Sequence, residues 1–330
     1  MIKAAIIAIA SILAAESAYC QTGASNAKPA GLRTPDGHPD LQGIWTSASV
    51  VPMERPANLK GKEFYTEQEA AENAKQVLGM SSWERLGSQA PEHYNMSQYG
   101  LDLSQVKVAS TLRTSLIVGP DGRVPPLTPE AKKRNAEKAA RNRGHQFDSY
   151  ENRPLQERCL VYSSEGPPML PGAYNSNLQI VQDAGHVAIL QEMIHSARII
   201  PTDGPTDGSP HLPPAIRQWF GDSRGRWEGE TLVVDTTNFT DKTAFRGSTA
   251  SLHLVERFTR IDNDTIVYEF TADDPTTWTR SWTAQIQLTR IKGPLFEFAC
   301  HEGNQGVANT LSGARATERA AAEAAGKVPK

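Results

Sequence analysis

The stretch LHLVERFTRIDNDTIVYEFT, residues 252–271, decides the fold. Leu252, Leu254 and Phe258 share one parity with Glu256 as its polar exception, while Ser251, His253, Val255 and Arg257 occupy the other. A period of two belongs to a half-buried strand, not to a helix. Asp262, Asn263 and Asp264 then interrupt the pattern with side chains that bond to their own backbone and favour turns. β-Branched and aromatic residues resume from Thr265 to Thr271, so the stretch reads as an antiparallel hairpin.

The same texture recurs on both sides. Residues 178–182 meet 187–200 across Asp183-Ala184-Gly185, residues 225–227 meet 231–235 across Glu228-Gly229, and residues 278–290 meet 295–300 across Lys292-Gly293. Consecutive hairpins make an antiparallel meander, and a meander this long tends to curl so as to shelter its edges. The expected fold is mainly β: a lipocalin-like barrel or strongly curved sheet over residues 176–311.

Residues 40–175 read as a mixed segment packed on that sheet. Asp40-Leu41-Gln42-Gly43-Ile44-Trp45 opens it as a short strand, and residues 113–118 supply another before a turn at Pro120–Arg123. Two surface helices are predicted. One begins at Thr66, with Glu69 completing a capping box. The other begins at Thr128 with Pro129 in its first turn and runs to about Arg143. Residues 21–39, rich in Gly, Ala, Pro and Asn, read as a flexible leader, and residues 312–330 as a loose tail.

The first 20 residues, MIKAAIIAIASILAAESAYC, place Lys3 before a short apolar run that ends in small residues. That is the pattern of a secretory signal peptide cleaved near Cys20-Gln21, and it predicts a periplasmic or secreted protein. No other run approaches the roughly 18 apolar residues of a membrane span, so no integral span is expected. Removal of Cys20 leaves Cys159 and Cys300, and an even count in an exported chain predicts a disulfide. Cys300 shares its parity with Phe296 and Phe298, which puts it on the apolar face of the predicted last strand. A net charge of −3 argues against a nucleic-acid partner, which requires a basic surface.

Chemistry is sought where polar residues interrupt apolar strand faces, because a buried charge is costly unless paired. Along the strand 187–199, Gln191 and His195 are the polar exceptions on the apolar face. Arg280 falls between Trp278 and Trp282 in the same way. The expected interior site therefore combines His195 as acid or base, Glu256 as its partner, and Arg280 as Glu256's ion pair and anion holder. Gln191, Tyr268, Trp278, Trp282, Arg246 and His301 are expected to contact the substrate. The Pro- and Gly-rich loop 201–214 follows directly, with Arg217, Trp219 and Phe220 as a rim.

Other motifs carry less. Gly221-Asp222-Ser223-Arg224-Gly225 matches the spacing of a serine-hydrolase elbow, but a hairpin follows where that elbow needs a helix. No HExxH pair and no glycine-rich phosphate loop occur, so neither a metal nor a nucleotide cofactor is predicted.

Three segments, DLQGIW at 40–45, GRWEGETLVVDTTNF at 225–239 and CHEGN at 300–304, resemble a large family of exported bacterial proteins. The resemblance covers most of the chain beyond the signal peptide. It implies export and a shared fold, and it brings no assigned chemistry. The functional expectation rests on the residues themselves. It is an exported, cofactor-free lyase, isomerase or hydrolase acting on a small apolar or aromatic molecule, with a binding protein or an interaction module as alternatives.

Overall fold

The strands are β1 (Gly43–Thr46), β2 (Asn177–Gln182), β3 (His186–Gln191), β4 (Ala197–Pro201), β5 (Asp222–Glu228), β6 (Thr231–Thr237), β7 (His253–Arg260), β8 (Thr265–Asp273) and β9 (Trp282–Ile291). The helices are α1 (Glu67–Leu78), α2 (Pro129–Asn142) and α3 (Gly306–Ala324). They come from a computed structural model that describes residues 32–80, 111–162, 164–172, 174–202, 210–243 and 245–326. The predicted signal peptide, Cys20-Gln21 and leader residues 21–31 lie outside the described residues.

All nine strands join one antiparallel sheet in the order β4-β3-β2-β1-β9-β8-β7-β6-β5. Two meanders, β2–β4 and β5–β9, are thus stitched together by β1. Ile44, Trp45 and Thr46 pair with Ile291, Arg290 and Thr289 on one side, and Trp45 pairs with Leu178 on the other. This corrects the predicted hairpin at 295–300. β1 occupies the free edge of β9, and residues 292–300 form no strand. Phe296 is consequently exposed rather than core-facing. Residues 113–118 likewise make isolated bridges at Arg113 and Ile117 instead of a strand.

The predicted long strand 187–200 is two strands. Between β3 and β4 the chain reverses at Met193–His195, where Ile194 and His195 adopt φ of 60° and 41°. Parity restarts after the turn, so Arg198 and Ile200 face inward and His195 is exposed.

The sheet is strongly curved. Arg198 on β4 reaches Glu256 on β7, six strands away in the sheet order, with Nη1–Oε2 and Nη2–Oε1 distances of 2.5 and 3.0 Å. Its two edges come together without a ladder between β4 and β5 among the described residues. Gly225 of β5 lies so near β4 that a Cβ there would fall 3.0 Å from Ile200 Cγ2 and 2.9 Å from Cγ2 of Thr202 just beyond it, so any side chain would have to displace them. The sheet is not closed into a barrel.

The concave face is a packed core. Trp45, Ile180, Ile189, Ile200, Leu254, Phe258, Tyr268, Phe270, Ala284 and Ile286 are buried in one cluster. A segment outside the sheet, Glu165–Met169, is buried along its whole length, and its Met169 packs into the same cluster. Gly166 N–H donates to Gln191 Oε1 at 3.2 Å and Met169 N–H donates to Tyr268 Oη at 3.0 Å.

The helices stay at the surface. Thr66 and Glu69 form the capping box of α1, Thr128 caps α2, and Ala131 is the one buried side chain among α1, α2 and α3. Among the described residues no helix is long and apolar enough to cross a membrane.

Cys159 and Cys300 form a disulfide with Cα atoms 5.7 Å apart. It ties the segment before Glu165 to the chain leaving β9. Replacing both by serine is expected to lower stability by about 2–4 kcal/mol, since the bridge closes a very long loop. Urea denaturation of the variant against the oxidised protein measures this, and an unchanged midpoint would show the bridge to be dispensable.

Candidate functional site

A cleft of about 620 Å³ opens at the end of the sheet where β5 begins and β6 ends. One wall is the disulfide-tied segment, with Leu155, Val161, Tyr162 and Glu165. The opposite wall is aromatic, with Trp219 and Phe220 before β5, Phe239 after β6 and Phe245 before β7. Phe245 stacks on Trp282 at 5.8 Å and meets Trp278 edge-on at 6.4 Å. The two tryptophans expected to touch substrate therefore support the cleft from one layer behind. Lys138 of α2, Lys242 and Arg246 bring positive charge to the cleft. Arg246 pairs with Glu54 at 3.5 Å, whereas Lys138 and Lys242 form no ion pair among the described residues.

Glu165 is the singular group. It is 6% exposed, and its Oε2 accepts the Tyr162 N–H at 3.1 Å. Oε1 accepts no hydrogen bond among the described residues, which is uncommon for a buried carboxyl oxygen. Burial pushes the carboxyl up to about 7, with the single backbone hydrogen bond acting the other way. The local sequence builds this position. The prolines of Glu165-Gly166-Pro167-Pro168-Met169 carry no N–H to satisfy the carboxylate. A Cβ at Gly166 would fall 2.4 Å from the Pro168 carbonyl carbon, so the bend beside Glu165 also requires glycine.

The pH consequence has a definite sign. The folded protein holds a proton on Glu165 that the unfolded chain releases near 4.5, so stability is retained below 4.5 and lost as pH rises toward 7. Glu165→Gln is therefore expected to be more stable than the parent by about 2 kcal/mol at pH 8, with allowance for solvent screening, and by nothing at pH 4. Denaturation at both pH values checks this, and equal differences at the two would remove the perturbed carboxyl.

The expected interior triad does not assemble. Glu256 is fully buried as its parity required, but its partner is Arg198, not Arg280. β9 starts at Trp282, so Arg280 lies in the preceding turn, where it pairs with Asp121 at 3.1 Å with both side chains exposed. Alternation holds only inside a strand, and Arg280 is outside it. His195 sits on the β3–β4 turn, and His301 is exposed beyond β9. Gln191 and Tyr268 are buried partners of the inserted segment. Tyr268 also donates to Glu256 at 2.8 Å, and burial and then the Glu256 charge raise its hydroxyl well above the usual range. Of the predicted site residues, Arg246 lines the cleft.

Ser223 is buried within β5 and shares a hydrogen bond with Thr236 at 3.0 Å, so it is not the exposed serine of a hydrolase elbow. Elsewhere, His211 bridges Asp222 and Asp235 at 2.9 Å each, and His253 adds a 2.8 Å contact to Asp235. Burial opposes the Asp235 charge, but His253 and His211 hold its carboxyl below the ordinary range. Among the described residues no group of His, Cys, Asp or Glu is arranged to hold a metal.

Comparison with protein-family models, curated proteins and solved structures finds no match to this chain.

Proposed function

We propose that the chain is an exported, cofactor-free enzyme that performs acid–base chemistry in the Glu165 cleft, of lyase, isomerase or hydrolase type. The observation that carries this is one carboxyl, poised at about 7 in an aromatic-walled cleft, with an oxygen that has no hydrogen-bond partner among the described residues. Such a group is half protonated at neutral pH and serves as donor and acceptor with little driving force lost either way. Its placement has the cost of a functional group, since a core carboxyl with no salt bridge destabilises the fold it sits in. Trp219, Phe220, Phe239 and Phe245 suit a flat apolar or aromatic substrate, and Lys138, Lys242 and Arg246 suit an anionic or carbonyl substituent on it. The disulfide supports the exported compartment, and the resemblance of the DLQGIW, GRWEGETLVVDTTNF and CHEGN segments to exported proteins agrees with it.

A panel of aryl carboxylates and aromatic carbonyl compounds, assayed for consumption against pH, tests the reading. Turnover with a break near 7 that vanishes in Glu165→Gln is the expected result. Ligand-induced thermal shifts across the panel with no turnover would replace it with the binding-protein alternative.

A further inference from the structure

The second large cavity, about 730 Å³, lies in the open seam between the edge strands β4 and β5. It shares Val161, Trp219 and Phe220 with the Glu165 cleft but contains none of the groups assigned to acid–base work. We propose that this seam binds an amphipathic anion, a carboxylate carried on an apolar chain.

Two independent features specify that chemistry. The first is apolar. Leu160, Ile199 and Trp219 are 40%, 66% and 40% exposed, and all three line the seam. Large apolar side chains are individually common at surfaces, but their convergence on one cavity is what marks a ligand or partner site. Alternation turns Ile199 outward on β4, where it borders the cavity.

The second is charge. Among the described residues, Arg198, Arg217 and Arg224 line the seam against one carboxylate, Asp222. Arg224 Nη1 is 2.8 Å from Asp222 Oδ1, while His211 Nδ1 and Leu212 N–H engage Oδ2, so that carboxylate is fully occupied. Arg198 is matched by Glu256. Arg217 has backbone carbonyls of Phe239 and Ala250 as partners and no ion pair among the described residues. Among the described residues the seam therefore carries one guanidinium, that of Arg217, without a carboxylate partner, beside an apolar wall. In addition, Arg198 Nε is buried with no hydrogen-bond partner among the described residues. A neutral apolar ligand would leave Arg217 unmatched, and a small inorganic anion would leave Leu160, Ile199 and Trp219 wet. A carboxylate on an apolar chain satisfies both, and a guanidinium–carboxylate contact is among the stronger polar contacts available.

Titration calorimetry of the full chain with decanoate and with decanol tests the site. Decanoate is expected to bind and to weaken as salt rises, whereas decanol binding is insensitive to salt. Arg217→Gln is expected to weaken decanoate by about tenfold or more, as loss of one charge-assisted contact implies, and to leave decanol unchanged. Ile199→Asp, at a side chain already exposed, is expected to abolish binding of both without altering the melting temperature. Absence of decanoate binding, equal loss of both ligands in Arg217→Gln, or unaltered binding in Ile199→Asp would each overturn the proposal. Anionic lipid headgroups also present a negative group, a phosphodiester, beside apolar chains. Association with phosphatidylglycerol-containing phosphatidylcholine vesicles without any binding of free decanoate would equally reject a site for the monomeric ligand.

Discussion

Arg198→Met is expected to lower the stability of the protein by about 3–5 kcal/mol, because it strands Glu256 as a buried, uncompensated charge. Glu256 has no exposed surface, and both its oxygens are committed: Oε1 to Arg198 and Tyr268, Oε2 to Arg198. Burial opposes the charge of Arg198, and the adjoining Glu256 carboxylate more than offsets this, so the guanidinium is held above its ordinary range. The pair is valuable only as a pair. The double variant Arg198→Met/Glu256→Leu removes both charges at similar volume and is expected to recover most of the loss. Tyr268→Phe should cost about 1–3 kcal/mol, since Met169 N–H then loses its acceptor in a dry core. Urea denaturation of the four proteins reads these values, and a loss below about 1 kcal/mol for Arg198→Met would mean that water reaches the pair on its own.

Why the sequence pointed to Glu256 but to the wrong partners is a matter of where period-two alternation stops. The β7–β8 hairpin was legible because turn residues at 262–264 separate two clean alternations. The β3–β4 turn carries no Gly, Pro or Asn; Met193, Ile194 and His195 make it with positive φ at the last two. A β-branched residue there is unfavourable, so nothing local announces the reversal. One signal was present: a continuous strand over 187–200 would be longer than most strands in globular proteins, which run about 3–10 residues. Allowing for a turn inside it moves Arg198 into the interior and His195 out.

β1 was visible as a strand, but its place between β2 and β9 was not. Its partners are far along the chain, and a strand of this length carries too little pattern to choose them. The cleft was least legible. Glu165 lies in an irregular, proline-rich segment to which neither helical nor strand periodicity applies, and its neighbours Trp219 and Phe245 arrive from other loops. The sequence did mark Trp219 and Phe220 as a rim and Arg246 as an anion contact, since aromatic and cationic residues clustered in connections stand out without knowledge of the fold.

Glu165→Gln is expected to reduce turnover of a substrate of this cleft by about 10²–10⁴-fold, the usual contribution of one positioned acid–base group. Glutamine keeps the shape of the side chain and can still accept the Tyr162 N–H, so the cleft wall is preserved. What it cannot do is gain or lose a proton. The loss should therefore fall on kcat with KM little changed, because binding by Trp219, Phe220, Phe239 and the basic rim is untouched. The same substitution removes a carboxyl that burial destabilises when charged, so at pH 8 the variant should be more stable and less active than its parent. That opposition of signs separates a functional carboxyl from a structural one, whose removal would weaken fold and activity together. Parallel measurement of kcat and the denaturation midpoint at pH 8 decides between them. A variant that is less stable, or that retains full turnover, would take Glu165 out of the chemistry.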